Sequence, residues 1–333
     1  MTPELQKTVV TEANLAPSVH NTQPTRWSFS ERAITLYVDE NRLLKVGDPS
    51  RQDAGVSCGA ALEGTAIALS RHGAGIVSVD DLWETRGAGP RPELTIAAKL
   101  TLGEADIDPL APFVDQRFTW RGIFDPVSEV VIKSLSDWAT NNETITLVSD
   151  RSDLAFIADL NDTLSLAVFR DRPYREELVS YMRLSKRHPQ WSVDGLNLDA
   201  MQLSPIEGWV AGFALRHPIF EGIDALRLAK MMISEREKTL SASGIAFFSV
   251  QDGTSPIDMG RAFYRCWLNF TRIGLVAWPM AVLADDPEAA KTCIAHFDIP
   301  PGHRLINVFR LGRPTSHRRP VPARLPLSDL IIG

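Results

Sequence analysis

Ala16-Pro17-Ser18-Val19-His20-Asn21-Thr22-Gln23-Pro24 separates two stretches of different periodicity. Upstream, Thr2-Pro3 supplies an N-cap with Pro at the first helical position, and Leu5, Val9 and Ala13 recur at helical spacing. Pro17 is expected to end that helix. Downstream, Thr25 to Ser30 and Ala33 to Val38 read as strands joined by a tight turn at Ser30-Glu31. The nonapeptide crowds short hydrogen-bonding side chains between two prolines. It reads as a rigid loop offering backbone N–H groups, an amide and an imidazole to something planar and polar. An ordinary cap-and-turn segment has the same composition.

Working outward, a long helix is expected from about Asp53 to Arg71, rich in Ala and Gly and poor in charge, hence central and buried. Val77 to Val79 and Leu94 to Leu100 are candidate strands. Asp125-Pro126 is expected to open a helix with Val127, Val130, Val131, Leu135 and Trp138 on its apolar face. Ile145 to Val148 reads as a strand, and helices are expected over 153–169, 175–184, 223–240, 257–273 and 286–295. Ile245 to Val250 and Leu305 to Leu311 read as strands. Residues 184–208 are irregular, as lids and binding loops often are.

The two parts of the chain share an order. Ala33-Ile34-Thr35-Leu36 matches Thr144-Ile145-Thr146-Leu147, and Gly59-x-Ala61 with Gly73 matches Gly260-x-Ala262 with Gly274. A duplication is expected, with halves 1–110 and 111–333. Alternating helices and single strands imply an α+β architecture: in each half an antiparallel-type sheet covered by helices around a long central helix.

With 333 residues, more than one core is expected. A net charge of -6 gives no general attraction to nucleic acid or anionic membranes, which favour a surplus of Lys and Arg. Cys58, Cys266 and Cys293 form no Cys-x-x-Cys pair and no His cluster accompanies them, so buried thiols are expected and no metal site. The N-terminus has no signal-peptide pattern, and no run is long and apolar enough to span a bilayer. A cytoplasmic location is the expectation.

The nonapeptide resembles the Pro-Ser-x-x-Asn-x-Gln-Pro-Trp motif of the nitroreductase family, with Thr25 where the family usually has Trp and Trp27 nearby to fill the space. Arg117-Phe118-Thr119-Trp120-Arg121-Gly122-Ile123-Phe124 resembles the Arg-x-Ser/Thr-x-Arg-x-x-Phe segment that grips the FMN phosphate in that family. Two guanidiniums at alternate positions with a hydroxyl between suit a phosphate dianion, and surface arginines flanking a core Phe118 suit the spacing too. Arg318-Arg319-Pro320-Val321-Pro322-Ala323-Arg324 resembles the family's basic closing segment, Arg324 matching best and Arg319 next. Gly274-Leu275-Val276-Ala277-Trp278-Pro279-Met280 resembles the segment that runs past the reactive flavin edge.

The resemblance implies FMN as cofactor, NADH or NADPH as electron donor, and a nitroaromatic, quinone or similar planar small molecule as acceptor. It implies a ring site at Pro17, Ser18, Asn21, Gln23, Pro279 and Met280, with His20 either donating to the flavin or substrate or serving as a structural hydrogen-bonding residue, and a phosphate site at Arg117, Thr119, Arg121, Arg319 and Arg324. Because the flavin N5 carries the chemistry, no catalytic side chain is required. The first half keeps the loop and the second keeps the grip, so one composite site is expected and a monomeric pseudo-dimer suffices. An FMN-storage protein with 184–208 as a lid over the flavin is the alternative.

Overall fold

The computed structural model describes residues 1–316 and 319–332. Two antiparallel sheets form its frame. The first holds β1 (Thr25–Phe29), β2 (Ala33–Asp39), β3 (Ala74–Asp81) and β4 (Leu94–Glu104) in the order β1-β2-β4-β3. Its β2 alternates between buried and half-buried positions, as a strand with one covered face should. The second sheet is built around β9 (Gly244–Gln251) and β11 (His303–Pro314), flanked by β6 (Ile145–Val148) and β10 (Val276–Pro279) in the order β10-β11-β9-β6. A short β5 (Phe124–Asp125) pairs with the end of β11. β9 is mostly apolar and is buried from Gly244 to Val250, because its alternate residues enter two cores, Ala246, Phe248 and Val250 one and Ile245 and Phe247 the other.

Helix α1 (Pro3–Ala13) is capped by the Thr2 side chain and packs on α2 (Gln52–Ser70), which is buried along most of its length. In the second part, α3 (Glu129–Thr140), α4 (Arg151–Arg170) and α5 (Arg172–Ser180) precede a run of short elements. These are β7 (Met182–Arg183) with β8 (Leu196–Asn197), then α6 (Leu198–Met201), α7 (Pro205–Ala214), α8 (Ile219–Ala225), α9 (Ala229–Ile233) and α10 (Arg236–Leu240). α11 (Pro256–Arg272) packs along α2. It is followed by α12 (Val282–Asp285), α13 (Pro287–His296) and α14 (Leu327–Leu330).

Three sequence expectations need correction. The helix placed at Asp125-Pro126 starts at Glu129 behind Ser128, because Phe124 and Asp125 are held as a strand by Pro314 and Arg313. The single helix over 223–240 is three short ones: Arg227 takes a left-handed φ of 60° and Ser234 is extended, and each breaks the ladder. Residues 184–208 are not wholly irregular, since β8, α6 and the capped start of α7 lie within them.

Trp27 is fully buried in the first core, where its indole donates to Thr65 Oγ1 on α2 at 2.9 Å. The chain end returns to that same core. Leu325 and Leu330 join it, and the Ile332 amide donates to the Trp27 carbonyl at 2.7 Å. Cys58, Cys266 and Cys293 are buried and free. No helix among the described residues is long and apolar enough to cross a membrane. No group of His, Cys, Asp and Glu among them could hold a metal ion.

Candidate functional site

The loop between α1 and β1 is fixed by its own side chains. Asn14, the C-cap of α1, donates to Gln23 Oε1 at 3.0 Å, and the Gln23 amide donates to Ser18 Oγ at 3.0 Å. The Val19 amide donates to Ser57 Oγ on α2 at 3.1 Å, which ties the loop to the long helix. His20, Asn21 and Gln23 all sit at left-handed φ, at 45°, 56° and 51°. Non-glycine residues enter that region at a cost, so a cluster of them marks a segment whose shape is imposed by its surroundings.

Two guanidiniums meet beside this loop. Arg324 Nη1 donates to Asn21 Oδ1 at 3.0 Å, and its Nη2 donates to the Leu15 carbonyl at 3.3 Å. Arg117 Nη2 donates to that same carbonyl at 2.9 Å, while the guanidinium lies 4.7 Å over the Trp267 ring. Neither has a carboxylate partner among the described residues. Burial, and for Arg324 then the charge of Arg117, lowers their affinity for protons; Arg324 falls to about 10 and stays cationic at neutral pH. Four buried donors here have no acceptor among the described residues: Arg117 Nε, Arg324 Nε, Trp267 Nε1 and the Tyr264 hydroxyl. Tyr264 is close enough to feel both cations. Two like charges and four unused donors in one desolvated place are expensive unless an anion joins them.

Arg121 goes elsewhere. Its Nη1 donates to the Ala200 carbonyl at 2.8 Å and its guanidinium lies 5.9 Å from the Trp278 ring, over which Arg310 stacks at 3.6 Å. The alternate spacing of Arg117 and Arg121 therefore leads to different partners. Between them Thr119 bridges to Ala277 of β10, so the segment runs along the sheet edge. Arg121 instead shares its surroundings with His20, whose imidazole is pushed down to about 4 by burial and then by the Arg121 charge. His20 is thus neutral at ordinary pH, with one ring nitrogen free to donate and the other to accept.

The remaining expected residues are dispersed. Pro17 and Ser18 lie behind the loop with Gln23, around a void of about 10 Å³. Pro279 pairs with Phe309 in the sheet, and Met280 is buried in the core among Trp120, Leu283 and Val308. Arg319 is exposed, 5.8 Å from the Phe118 ring, and is not brought to Arg324. Arg318 lies outside the described residues. Tyr264, Trp267 and Ser57 escaped the sequence reading, because their spacing on α11 and α2 is that of ordinary core residues.

The 184–208 segment roofs the loop. The Asn21 amide nitrogen donates to the Gly195 carbonyl at 3.2 Å and to the Ala323 carbonyl at 3.1 Å; Gln23 Nε2 donates to the Val193 carbonyl at 2.9 Å. Buried Asp194 holds the roof down, receiving Arg183 Nη2 at 2.7 Å and Arg42 Nη1 at 3.1 Å. These residues line a polar cleft of about 490 Å³. Elsewhere Asp53 in the first turn of α2 feels Asp48 and Asp285; burial and then Asp48 raise its carboxyl to about 7.

No protein-family profile matches the chain. Over 73 residues it is 36% identical to the Mycobacterium tuberculosis H37Rv protein named "Putative NAD(P)H nitroreductase acg", covering 22% of each chain. Over 70 residues it is 39% identical to "Putative NAD(P)H nitroreductase Rv3131" of the same strain, covering 21% of this chain and 20% of that one. The chain thus spans about a fifth of the length of the curated relatives it matches. Among solved structures, it resembles the FMN- and NADPH-dependent nitroreductase NfnB from Sphigopyxis sp. strain HMH at 16% identity and a TM-score of 0.37, covering 68% of this chain and 99% of that one. It also resembles NfnB from Mycobacterium smegmatis in complex with NADPH at 18% identity and a TM-score of 0.34, covering 61% and 86%.

Proposed function

We propose that this chain is an FMN-dependent NAD(P)H oxidoreductase of the nitroreductase type, built of two tandem halves, 1–110 and 111–333, with one composite flavin site. The observation that carries the reading is the pair Arg117 and Arg324 on the Leu15 carbonyl, ringed by donors that have no acceptor. A phosphate monoester fits that donor set, since its oxygens would take bonds from both guanidiniums and from Tyr264 at once. Arg324, which the family resemblance assigns to the phosphate, donates to Asn21 of the loop and shares the Leu15 carbonyl with Arg117.

In this reading Arg117 and Arg324 hold the phosphate, with Thr119 nearby on the same segment. Asn21 orients Arg324 and so joins the grip to the loop. Arg121 keeps a positive charge beside neutral His20, a pairing suited to the electron-rich polar edge of a flavin. Bound FMN would supply two-electron exchange between NAD(P)H and a small planar acceptor such as a quinone or nitroaromatic.

A second reading is favoured by the roof: carbonyls of Gly195, Ala323 and Ala200 occupy the polar ends of Asn21 and Arg121. A chain closed in this way would store FMN rather than turn over. Anaerobic addition of NADPH to the flavin-loaded protein separates the two, because prompt bleaching requires an accessible ring. The test of the site itself is Arg117→Ala with Arg324→Ala. Loss of two charge-assisted contacts should weaken FMN binding by about 100-fold or more. Undiminished FMN in the purified double variant would sink the proposal.

A further inference from the structure

Helix α7 buries one side and leaves the other bare. Its inner side carries Gly208 and Gly212, where an added Cβ would meet Leu198 at 2.1 Å and Leu184 at 3.2 Å. Its outer side carries Ile206, Trp209, Val210 and Phe213, exposed at 76%, 70%, 47% and 52%. The Trp209 and Phe213 rings stack almost parallel with centroids 6.0 Å apart. The following segment exposes Leu226, Leu228, Met231 and Met232 as well. Scattered exposed apolar groups are normal, but Ile206, Trp209, Val210 and Phe213 recur at helical spacing on one side of α7, and such a grouped side marks a docking face. The helix is not frayed into this state, because Ser204 and Glu207 close it with a reciprocal capping box.

The charges of the stretch indicate what docks there. Its acids Glu221 and Asp224 are taken by Arg175 and Arg170 from α5 and α4. Its cations Arg216, Arg227 and Lys230 are exposed and make no ion pair among the described residues. Glu207 is the remaining acid, and its carboxylate is engaged by the Ser204 amide. The stretch therefore offers apolar side chains, a tryptophan and three cations without an ion pair among the described residues against the single carboxylate of Glu207, although the whole chain carries a net charge of -6. A second copy is disfavoured as occupant, because a two-fold contact would set the same cations against one another. We propose that α7 and the 226–232 stretch form a docking face for an anionic lipid surface, with Trp209 and Phe213 entering the headgroup boundary and Arg216, Arg227 and Lys230 pairing with lipid phosphates.

This inference is independent of the flavin reading. Its test is co-sedimentation of the full chain with vesicles of phosphatidylcholine alone or mixed with phosphatidylglycerol. The protein should sediment with the mixed vesicles, more weakly as salt rises, and poorly with phosphatidylcholine alone. Trp209→Ser with Phe213→Ser should weaken binding about tenfold or more, since both rings are exposed and their loss leaves the core intact. Arg216→Glu with Lys230→Glu should weaken it comparably without touching any apolar contact. Three results would overturn the proposal: no sedimentation with mixed vesicles, binding that survives both double variants, or a dimer in sedimentation equilibrium that the Trp209 and Phe213 changes dissolve.

Discussion

Gly59 of α2 and Gly260 of α11 stand back to back. A Cβ on Gly59 would lie 2.0 Å from the Ile257 carbonyl oxygen, and one on Gly260 would lie 2.1 Å from the Val56 carbonyl oxygen. The obstacles are backbone atoms, which cannot swing aside as a side chain can. Glu63, one turn along α2, is buried and receives Arg261 at 3.0 Å and Arg265 at 2.7 Å from α11. The helices are thus joined at the two glycines whose sequence surroundings also match. Gly59→Ala and Gly260→Ala should each lower unfolding free energy by about 2 kcal/mol or more through overpacking. Gly222→Ala in α8 meets nothing within 4 Å and should leave stability unchanged or slightly raised. Urea denaturation of the three variants reads the contrast directly.

What the sequence disclosed follows from what each signal depends on. The α2 helix was legible to within a residue at either end, because a long Ala- and Gly-rich run has no competing reading. Arg117, Arg324 and the Asn21 loop were legible from local spelling. The divergence of Arg121 was not, because it depends on Thr119 bridging to Ala277, a contact between segments more than 150 residues apart. Tyr264 and Trp267 were invisible as site residues for a similar reason. On α11 they are spaced as core residues, and only the absence of an acceptor in three dimensions sets them apart. The left-handed φ at His20, Asn21 and Gln23 had no glycine to announce it.

His20 makes stability depend on pH in a defined direction. Its folded-state value of about 4 lies below the ordinary 6.5, because burial and then Arg121 disfavour the imidazolium. Below about pH 6.5 the unfolded chain takes up a proton that the folded chain refuses, so stability falls as pH drops toward about 4 and then levels. The loss should be about 3 kcal/mol. His20→Asn keeps a residue tolerant of left-handed φ and removes the titration. Thermal melts between pH 4 and 7 should therefore show a shallower acid decline in the variant; parallel curves would count against a neutral buried imidazole.

Asp53 works in the opposite sense. Burial and then Asp48 hold its carboxyl at about 7, so the folded chain keeps a proton that the unfolded chain releases near 3.8. Stability contributed by this group is therefore complete in acid and lost as pH rises from about 4 to about 7. Asp53→Asn keeps the uncharged shape at every pH. Relative to the parent, the variant should gain stability at pH 8 and little at pH 4.5. The same gain at both values would show that Asp53 is ionised throughout.

Asp194 is the carboxylate on which the roof over the loop is fastened. Arg183 reaches it from β7 within the same segment, through Nε at 3.0 Å and Nη2 at 2.7 Å, and Arg42 reaches it from beyond β2 at 3.1 Å. Replacing Asp194 with Ala would leave two partly or fully buried guanidiniums without their counter-charge, a change that costs about 3 kcal/mol or more. Because the roof's other ties are a few hydrogen bonds with Asn21, Gln23, Arg121 and Arg324 and the packing of Val193 on the first core, the cost should appear as local opening and not as loss of the fold. Hydrogen exchange in residues 182–197 should accelerate by about 100-fold in Asp194→Ala, while the amides of β9 and α2 exchange as before. FMN, if bound beneath, should leave faster in the same variant. Uniform acceleration across both sheets would mean that Asp194 supports the whole fold, and the latch would then be the wrong description of it.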